Sequence, residues 1–355
     1  MRIIRARNVH NALTEGVSLL HLEGIQRGSR NGAVRVAPWP VVTEYHHPWE
    51  KLVWWPQRDT NVAFLIYEAF WMLLGRNNIA PLTRYIKGFG RYSDDGKTQH
   101  GAYGHRWRER FGFDQLTVII DNLMTNVEDR RNVLTMFNPI LDLQRPEVQS
   151  KDVPCNIAAT VQRDKDGKLD LTVFCRSNDI IWGAYFANAF HFACLLEYLA
   201  AYIGCPVGVY RQISVNYHAY EDVYEPLLQS MADGPTFPDP YVEQVSSARL
   251  NDVPPTTLIE DIAYVTYAAD SEFKFEQVRN LGPVMQAAYN VLHAHHVWRT
   301  KAAPERFAEA LLTLYDRAAN YDDFRNIDWI VCMQKWLYNR FLIWDKALAS
   351  NGSRK

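Results

Sequence analysis

A long apolar stretch at residues 187–203 constrains the fold of this chain more than any other feature. It has the pattern of one helix, with apolar side chains on nearly every side and only isolated polar residues among them. A helix on a protein surface shows one apolar stripe and one polar face, so a helix of this composition must be enclosed by other elements. No run of eighteen apolar residues occurs in the chain, so we do not expect a transmembrane helix. The sequence therefore predicts a large core around residues 187–203.

The segments around this helix alternate irregularly between helical and extended patterns. Apolar residues recur at helical spacing in residues 61–74, and Asp114 stands near the start of a second predicted helix at residues 113–123. Four further segments have the composition of strands, namely residues 132–136, 156–162, 169–175 and 209–215. This irregular order predicts the α+β class, with a mixed sheet flanked by helices.

The last third of the chain has a different character. Residues 235–255 are rich in proline and polar residues and are predicted to form a linker or an extended arm. Three predicted helices follow, at residues 281–298, 303–319 and 326–348. The third carries a stripe of aromatic and aliphatic residues, which favours packing against the core or a partner subunit over a ligand-binding role. We therefore expect a main domain at residues 1–245 and a helical C-terminal extension at residues 246–355.

Charge and cysteine content exclude several classes of partner. The formal net charge is −2, which does not favour bulk binding to nucleic acid or to an anionic membrane, so an anionic substrate would need a local arginine cluster. The five cysteines include no CxxC pair, and the histidines match no metal spacing, so neither a disulfide framework nor a metal site is expected. The N-terminus lacks an apolar secretory segment, and we predict a cytoplasmic protein.

The residues around Cys155 supply groups suited to covalent chemistry on a nucleotide. Cys155 follows a proline, and Arg176 and Ser177 form a second polar segment further along the chain. A thiolate is the strongest nucleophile available near neutral pH, and nearby cations increase the thiolate fraction. Arginine presents a fixed fork that fits phosphate, and a serine hydroxyl adds another donor. This pattern predicts a nucleophile beside a phosphate-binding site.

Several motifs occur in order between residues 24 and 220, and together they resemble the thymidylate synthase superfamily. They are Gly28-Ser29-Arg30-Asn31-Gly32, Tyr67-Glu68-Ala69-Phe70-Trp71, Gly101-Ala102-Tyr103-Gly104, Arg130-Arg131, Pro154-Cys155, Arg176-Ser177-Asn178-Asp179 and Asn216-Tyr217-His218-Ala219-Tyr220. Each motif alone is weak evidence, whereas the ordered set is specific. The resemblance implies a thymidylate synthase-like catalytic domain at residues 1–245, and it does not cover the last third.

The resemblance also implies roles for these side chains. It implies that Cys155 adds to C6 of a pyrimidine, that Glu68 orients water and moves protons at the position-4 group, and that Tyr103 assists removal of the C5 proton. The implied ligands of the phosphate and sugar are Arg30, Arg130, Arg131, Arg176, Ser177, His218 and Tyr220. The paired arginines come from the neighbouring subunit in this family, so a homodimer is implied. Asp179 resembles the aspartate that hydrogen-bonds the pterin of 5,10-methylenetetrahydrofolate, the implied one-carbon donor.

Three departures from the thymidylate synthase pattern bear on substrate and product. In that family the asparagine that reads uracil lies four residues after a glycine, and here Ala187 occupies this position while Asn188 follows one residue later. This shift weakens the case for uracil, although a helix bulge would restore Asn188. Asn156 replaces the usual histidine after Cys155, which changes the polar groups near the base. Residues 86–101 contain no tryptophan to shield a methylene intermediate, which favours capture by water over hydride.

These departures lead to a folate-dependent pyrimidine nucleoside monophosphate 5-hydroxymethylase, acting on a cytidylate (dCMP or CMP), as the leading hypothesis. A first alternative keeps the fold and acts on dUMP, making hydroxymethyl-dUMP or thymidylate. A second alternative is a catalytically silent homologue that binds a nucleotide or a partner. Retention of Cys155, Glu68, Tyr103 and the arginines favours an enzyme over the silent homologue. No nucleic-acid or membrane partner is expected.

Overall fold

The computed structural model describes residues 1–29, 31–143, 150–233, 238–242, 244–274, 279–316 and 326–352. Its strands are β1 (Arg2–Ala6), β2 (Ile25–Ser29), β3 (Gly32–Val36), β4 (Val41–Tyr45), β5 (Val133–Thr135), β6 (Asn156–Arg163), β7 (Leu169–Cys175), β8 (Asn178–Asp179), β9 (Val207–Ser214) and β10 (Tyr217–Tyr220). Its helices are α1 (Val9–Glu23), α2 (Val62–Leu73), α3 (Tyr103–Arg108), α4 (Gln115–Thr125), α5 (Pro139–Asp142), α6 (Asn188–Ile203), α7 (Glu221–Asp233), α8 (Pro255–Asp270), α9 (Pro283–Thr300), α10 (Glu305–Leu314) and α11 (Asp328–Gly352). A π-helix over Ile180–Ala187 leads directly into α6.

Two sheets organise the first two thirds of the chain. The larger sheet has six strands in the order β1-β4-β9-β7-β6-β5, and the smaller has four in the order β2-β3-β10-β8. The larger sheet is mixed, because β1 pairs with β4 and β7 with β9 in parallel while its other pairs are antiparallel. Helices α1 and α6 pack against the larger sheet, and α7 packs against the smaller. This arrangement confirms the predicted α+β class.

Helix α6 lies at the centre of the core, as its composition predicts. By length and apolar content the stretch Ile180–Ile203 would suffice to cross a membrane, but 78% of its most apolar window is buried inside the protein. One acidic residue, Glu197, is fully buried in it, and the Nζ of the equally buried Lys51 donates to its carboxylate at 2.7 Å. A buried carboxylate is tolerated when it is paired and hydrogen-bonded, so this polar position does not oppose the burial of the helix.

The predicted elements are found close to their predicted ends where the sequence carries a capping signal. Helix α2 begins at Val62 because the side chain of Asn61 accepts a hydrogen bond from the Phe64 N–H at 3.1 Å. Asp114 caps α4 in the same way and accepts from the Leu116 N–H at 2.9 Å. Strand β7 has both of its predicted ends. Strand β1 and the helix α7 are present although the sequence analysis did not predict them.

The residues beyond 246 contact the main domain chiefly through α2. Helices α8, α9 and α11 all contact α2. Asp270, at the end of α8, accepts a hydrogen bond from the Tyr67 hydroxyl at 2.5 Å and pairs with Arg76 at 2.6 Å. The aromatic stripe of α11 is buried along its first half, where Trp329 is fully enclosed. Helix α10 ends before the predicted residue 319, and residues 317–319 lie outside the described part of the chain.

The π-helix before α6 changes the register of the chain by one residue. The N–H of Asn188 bonds to the carbonyl of Gly183, five residues back rather than the four of an α-helix. Tyr185 leaves helical geometry within this segment, at φ −108° and ψ 21°. One wide turn therefore absorbs one extra residue, and α6 continues with normal α-helical geometry.

Side chains from the larger sheet satisfy a carbonyl of this wide turn. The carbonyl of Ala184 accepts a hydrogen bond from the Tyr45 hydroxyl at 2.8 Å and another from Gln212 Nε2 at 2.9 Å. Arg58 donates in the same way to the carbonyl of Ile181 at 2.8 Å. Because buried carbonyls without donors are costly, these bonds stabilise the π-helix relative to a regular helix.

Replacing Gln212 with leucine would test this account of the π-helix. The variant would remove one donor to Ala184 and leave the side-chain amide of Asn178 without one of its acceptors. Each buried group left unsatisfied costs about 1–3 kcal/mol. We expect the free energy of unfolding, measured by urea denaturation, to fall by about 1–3 kcal/mol. Gln162→Leu, at an exposed position of β6, is the matched control and should change stability by less than about 0.5 kcal/mol. Equal losses for the two variants would contradict the account.

Candidate active site

Cys155 lies in the loop that leads into β6, with the side chain of Arg176 beside it. The Arg176 guanidinium donates to the carbonyls of Pro154 at 2.8 Å and Val153 at 2.9 Å, and these bonds fix its position. One of its nitrogens lies 3.8 Å from the Cys155 sulfur. A cation at this distance favours the thiolate form of a cysteine. The fold therefore brings the predicted nucleophile and one predicted phosphate ligand together.

Tyr103, the first residue of α3, contacts the backbone at the candidate nucleophile. Its hydroxyl oxygen accepts hydrogen bonds from the N–H groups of Cys155 and Asn156, both at 3.1 Å. Burial and the negative charge of nearby Cys155 raise the pKa of Tyr103 well above its usual value. The phenol therefore keeps its proton at neutral pH. Since both of these bonds use the oxygen as acceptor, its own proton can be donated to a ligand or to water.

Glu68 projects from α2 and keeps 14% of its side chain exposed. Burial, together with the negative charge of Asp152, raises the pKa of Glu68 to about 8. Asp152 precedes Cys155 in the same loop, where its carboxylate accepts a hydrogen bond from the Gly101 N–H at 2.7 Å. A carboxyl group with a pKa near neutrality can both give and take a proton under working conditions. Glu68 thus has the property that its implied role needs.

A chain of side-chain hydrogen bonds connects the candidate site to the π-helix. It starts at the buried thiol of Cys175, which donates to Asn156 Oδ1 at 2.8 Å. Asn156 Nδ2 donates to Asn188 Oδ1 at 3.2 Å, and Asn188 Nδ2 donates to Asn178 Oδ1 at 3.0 Å. Asn178 then donates to Gln212 Oε1 at 2.8 Å, and the Nε2 of the same glutamine makes the bond to the π-helix described above.

The two ends of this chain define the orientation of every amide in it. At one end, burial raises the pKa of Cys175, so its thiol stays protonated and donates. At the other end, the backbone carbonyl of Ala184 can only accept. Reversing any amide between them would place two donors or two acceptors together. The amide of Asn188 is therefore fixed, with one N–H and one oxygen lone pair left for a ligand.

The π-helix restores the register that the sequence analysis questioned. Ala187 is the last residue of this wide turn and offers no polar side chain. A Cβ built on Gly183 would lie 3.3 Å from Asn188 Nδ2, so the asparagine side chain lies over the glycine of its motif. The helix bulge considered as an alternative is therefore present. Asn188, and not Ala187, therefore brings a polar side chain between Asn156 and Asn178.

Three of the predicted sugar and phosphate ligands, Ser177, His218 and Tyr220, line a cavity of about 370 Å³. Its polar lining comes from the β2–β3 hairpin, from β10 and from the segment before β8, with the side chains Arg27, Ser29, Asn31, Ser177, His218 and Tyr220. The Asn31 amide donates to the Tyr220 hydroxyl at 3.4 Å, which connects the two sides of the cavity. Arg30, the predicted arginine of this hairpin, lies outside the described residues. Arg27 was not predicted and brings a positive charge to the same cavity.

Arg130 and Arg131 lie between α4 and β5 and do not line this cavity. Arg131 keeps 83% of its side chain exposed and pairs with Asp129 at 2.6 Å. Arg130 is exposed as well. Two exposed arginines outside the cavity of their own chain fit a role in the site of a neighbouring subunit.

Asp179 presents a carboxylate oxygen that lacks a donor. Its Oδ1 accepts from the N–H groups of Ile181 at 2.7 Å and Trp182 at 2.8 Å, and so caps the π-helix. Its Oδ2 is buried and has no hydrogen-bond partner among the residues that the structure describes. Burial also raises the pKa of Asp179. A buried acceptor without a donor is costly, so the site is suited to a ligand N–H such as that of a pterin ring.

The sequence analysis missed several residues at this site. Arg58 is buried beside Asp179, and its guanidinium lies 4.8 Å from the ring centroid of Trp182, which is 51% exposed. An exposed tryptophan next to an unsatisfied carboxylate offers a flat apolar surface to a ring system. His191 was also missed. Its position within an otherwise apolar helix was the available signal, because a buried polar residue needs a partner.

A family profile and several known proteins match this chain. The profile of the family described as "Thymidylate synthase" matches residues 20–278. The chain is 41% identical over 338 residues to the deoxyuridylate hydroxymethyltransferase of Pseudomonas phage M6. This alignment covers 93% of this chain and 94% of the relative. It is 34% identical over 208 residues to the protein of the same name from Bacillus phage SP01, covering 56% of this chain and 52% of the relative.

The likeness to a solved structure concerns the fold. The crystal structure of thymidylate synthase from T4 phage aligns with a TM-score of 0.54 at 19% identity, covering 71% of this chain and 90% of that one. The profile and the phage relatives define the class, and this likeness agrees with them in fold. The chain belongs to the thymidylate synthase family of one-carbon transferases and groups with its hydroxymethylase branch.

Proposed function

We propose that this protein is a deoxyuridylate 5-hydroxymethylase, which uses 5,10-methylenetetrahydrofolate and water to convert dUMP into 5-hydroxymethyl-dUMP. The fixed amide of Asn188, at the position of the base reader, is the observation that carries this proposal.

The orientation of that amide supports one base over the other. Uracil presents a donor at N3 beside an acceptor at O4, whereas cytosine presents an acceptor at N3 beside a donor amine. An asparagine can match either base, but the two matches need opposite orientations of its amide. Because the hydrogen-bond chain fixes Asn188, it suits only one of them. Its register is that of the uracil reader in the family, which supports uracil.

The hypothesis of a cytidylate substrate depended on Ala187 at the reader position. That reason no longer holds, because the π-helix brings Asn188 there. The names of two phage relatives, both deoxyuridylate hydroxymethyltransferases, give further support to dUMP.

Cys155 would start the reaction by adding its thiolate to C6 of the base. A sulfur–carbon bond forms, the electrons of the C5–C6 double bond move towards O4, and C5 becomes nucleophilic. Arg176 would support this step twice, since its charge favours the thiolate and its fork suits phosphate. Glu68 would orient a water molecule that gives a proton to the O4 region as charge develops there.

The described residues around Asp179 offer the one-carbon donor a binding place. When bound, 5,10-methylenetetrahydrofolate supplies a one-carbon unit at the formaldehyde oxidation level. Asp179 would hold its pterin ring, because the buried Oδ2 lacks a donor. Trp182 would add an apolar contact beside that carboxylate.

Water would complete the reaction on the base. C5 would first bond to the one-carbon unit, and loss of the C5 proton, assisted by Tyr103, together with release of the donor as tetrahydrofolate would leave an exocyclic methylene group on the base. The water oxygen would bond to this methylene carbon, the electrons would move towards O4, and one proton of the water would pass to O4 through the water that Glu68 orients. Expulsion of the Cys155 thiolate then restores the C5–C6 double bond and releases the hydroxymethyl product.

The segment before α3 supports water over hydride as the acceptor of the methylene group. Residues 86–101 contain no tryptophan. Of the two large aromatic residues there, Phe89 is buried, with its ring centroid 6.2 Å from that of Phe64, and Tyr92 is 41% exposed. Neither is a close equivalent of an indole ring that would cover the intermediate.

Product identification by mass spectrometry would test the proposed function. The protein would be incubated with 5,10-methylenetetrahydrofolate and, separately, with dUMP, dCMP and CMP. We expect a hydroxymethyl product from dUMP, its loss in Cys155→Ala, and its retention in Cys205→Ala, which removes a half-buried thiol outside the site. A methyl product from dUMP would assign thymidylate synthesis instead. A product from a cytidylate alone would overturn the choice of base, and no product from any substrate would favour the silent homologue.

The base reader can be tested by replacing Asn188 with aspartate. A carboxylate oxygen would replace the N–H that faces O4 of uracil, while it could accept from the amine of cytosine. We expect kcat/KM for dUMP relative to dCMP to fall at least about 100-fold, since losing such a pair strands a buried polar group. The exposed control Asn326→Asp should leave the ratio unchanged. An unchanged ratio in Asn188→Asp would show that another group reads the base.

We also propose a homodimer in which Arg130 and Arg131 bind phosphate in the partner's site. Cys155→Ala and the double variant Arg130→Ala/Arg131→Ala should each be inactive. After unfolding and refolding together, their mixed dimers would contain one intact site, so an equal mixture should recover about a quarter of wild-type activity. No recovery from mixtures shown to exchange subunits would place the arginines in the site of their own chain.

A further inference from the structure

His191 lies beside the candidate catalytic carboxylate, on the same face of α6 as Asn188. It follows that asparagine by three residues, which is a neighbouring position on a helix surface. Its Nε2 is 3.4 Å from Oε2 of Glu68 on α2, and its side chain is 5% exposed. The proposed function, on which this inference rests, uses Glu68 and assigns nothing to the histidine.

The surroundings of the ring define which nitrogen carries the proton. Nε2 is buried and has no hydrogen-bond partner in the described part of the chain. The backbone of Leu65, one turn before Glu68, hydrogen-bonds the ring and favours its charged form, as a carbonyl acceptor would. That bond is therefore made by Nδ1–H. Burial lowers the pKa of His191 to about 3, so the ring is neutral and Nε2 presents a lone pair to Glu68.

A lone pair at this distance fits the acid form of the carboxyl group and not its carboxylate. A protonated Oε2 can donate to Nε2, whereas a carboxylate oxygen would place two acceptors against each other. We infer that His191 is a positioning residue for Glu68: its Nε2 accepts the carboxyl proton, fixes that proton on Oε2, and leaves Oε1 as the acceptor that faces water and the base.

The other charged groups around α2 do not oppose this arrangement. Asp152, from the loop before β6, adds a negative charge that also favours the acid form of Glu68. On the side of α2 that faces the extension, the charges of Asp270 and Arg76 pair with each other at 2.6 Å. The histidine is thus the neighbour that provides an acceptor for the proton, while Asp152 acts only through its charge.

Infrared difference spectra against pH would test the inference on the whole protein. The carboxylic acid band of Glu68, assigned by its loss in Glu68→Gln, should disappear with a midpoint near pH 8 in the wild type. His191→Leu removes the acceptor and keeps an apolar volume. We expect its midpoint to move down by about one pH unit, because a hydrogen bond to the acid form is lost. His191→Gln, which offers an amide oxygen, should restore most of the shift.

His295→Leu is the matched control, since burial also lowers the pKa of His295 to about 3 and that residue lies in the extension. It should leave the midpoint unchanged. An unchanged midpoint in His191→Leu would overturn the inference. If that variant does not fold, nitrogen-15 spectra of the wild-type ring decide: a proton on Nε2, or an Nε2 signal insensitive to Glu68→Gln, would also overturn it.

These readouts do not depend on which product is formed. If the His191 tautomer and the midpoint shift in His191→Leu are as expected but the wild type yields no hydroxymethyl product, the proposed function is refuted and the Glu68–His191 pair stands. If the hydroxymethyl product forms but the midpoint does not shift, only the pair is refuted.

Discussion

The two hydrogen bonds to the carbonyl of Ala184 are the constraint on which the candidate site depends. Tyr45 and Gln212 reach this atom from neighbouring strands of the larger sheet, and they stabilise a turn that a regular helix would not contain. The turn absorbs one residue, so it decides which side chains of α6 face Cys155 and Glu68. Without it, α6 would be rotated by about 100° relative to the sheet, since each residue of an α-helix advances by that angle. Under the proposed function, the choice of base thus depends on Tyr45 and Gln212, which do not touch the base.

Much of the fold follows from local signals in the sequence. The caps Asn61 and Asp114 fix the starts of two helices, and the apolar content of residues 187–203 identifies the central helix. The candidate site was predictable where it rests on ordered motifs, as for Cys155 and Arg176. The register of Asn188 was not, because a π-helix is stabilised by donors that come from distant strands. Periodicity within a segment carries no information about such donors.

The residues that sequence reasoning missed share a physical reason. Arg58 and His191 act through contacts with other elements, and their types alone suggest ordinary packing or surface roles. Their buried, incompletely bonded nitrogens become visible only when the neighbouring atoms are known. The substrate hypothesis changed for the same reason, since the sequence indicated the amide but not the direction in which it points. Direction is set by a hydrogen-bond chain that begins at Cys175, a residue with no evident role in the motifs.

Helix α2 packs between the candidate site and the C-terminal extension. Glu68 faces the candidate site, while the adjacent Tyr67 faces the other way, bonds to Asp270 of α8 and stacks on Tyr85. Helix α2 thus contacts the candidate site on one side and the last third of the chain on the other. Shortening the protein to the region matched by the family profile would remove α9, α10 and α11 from the second side. The extension is therefore a structural support of the helix that carries Glu68, and the two parts of the chain depend on each other.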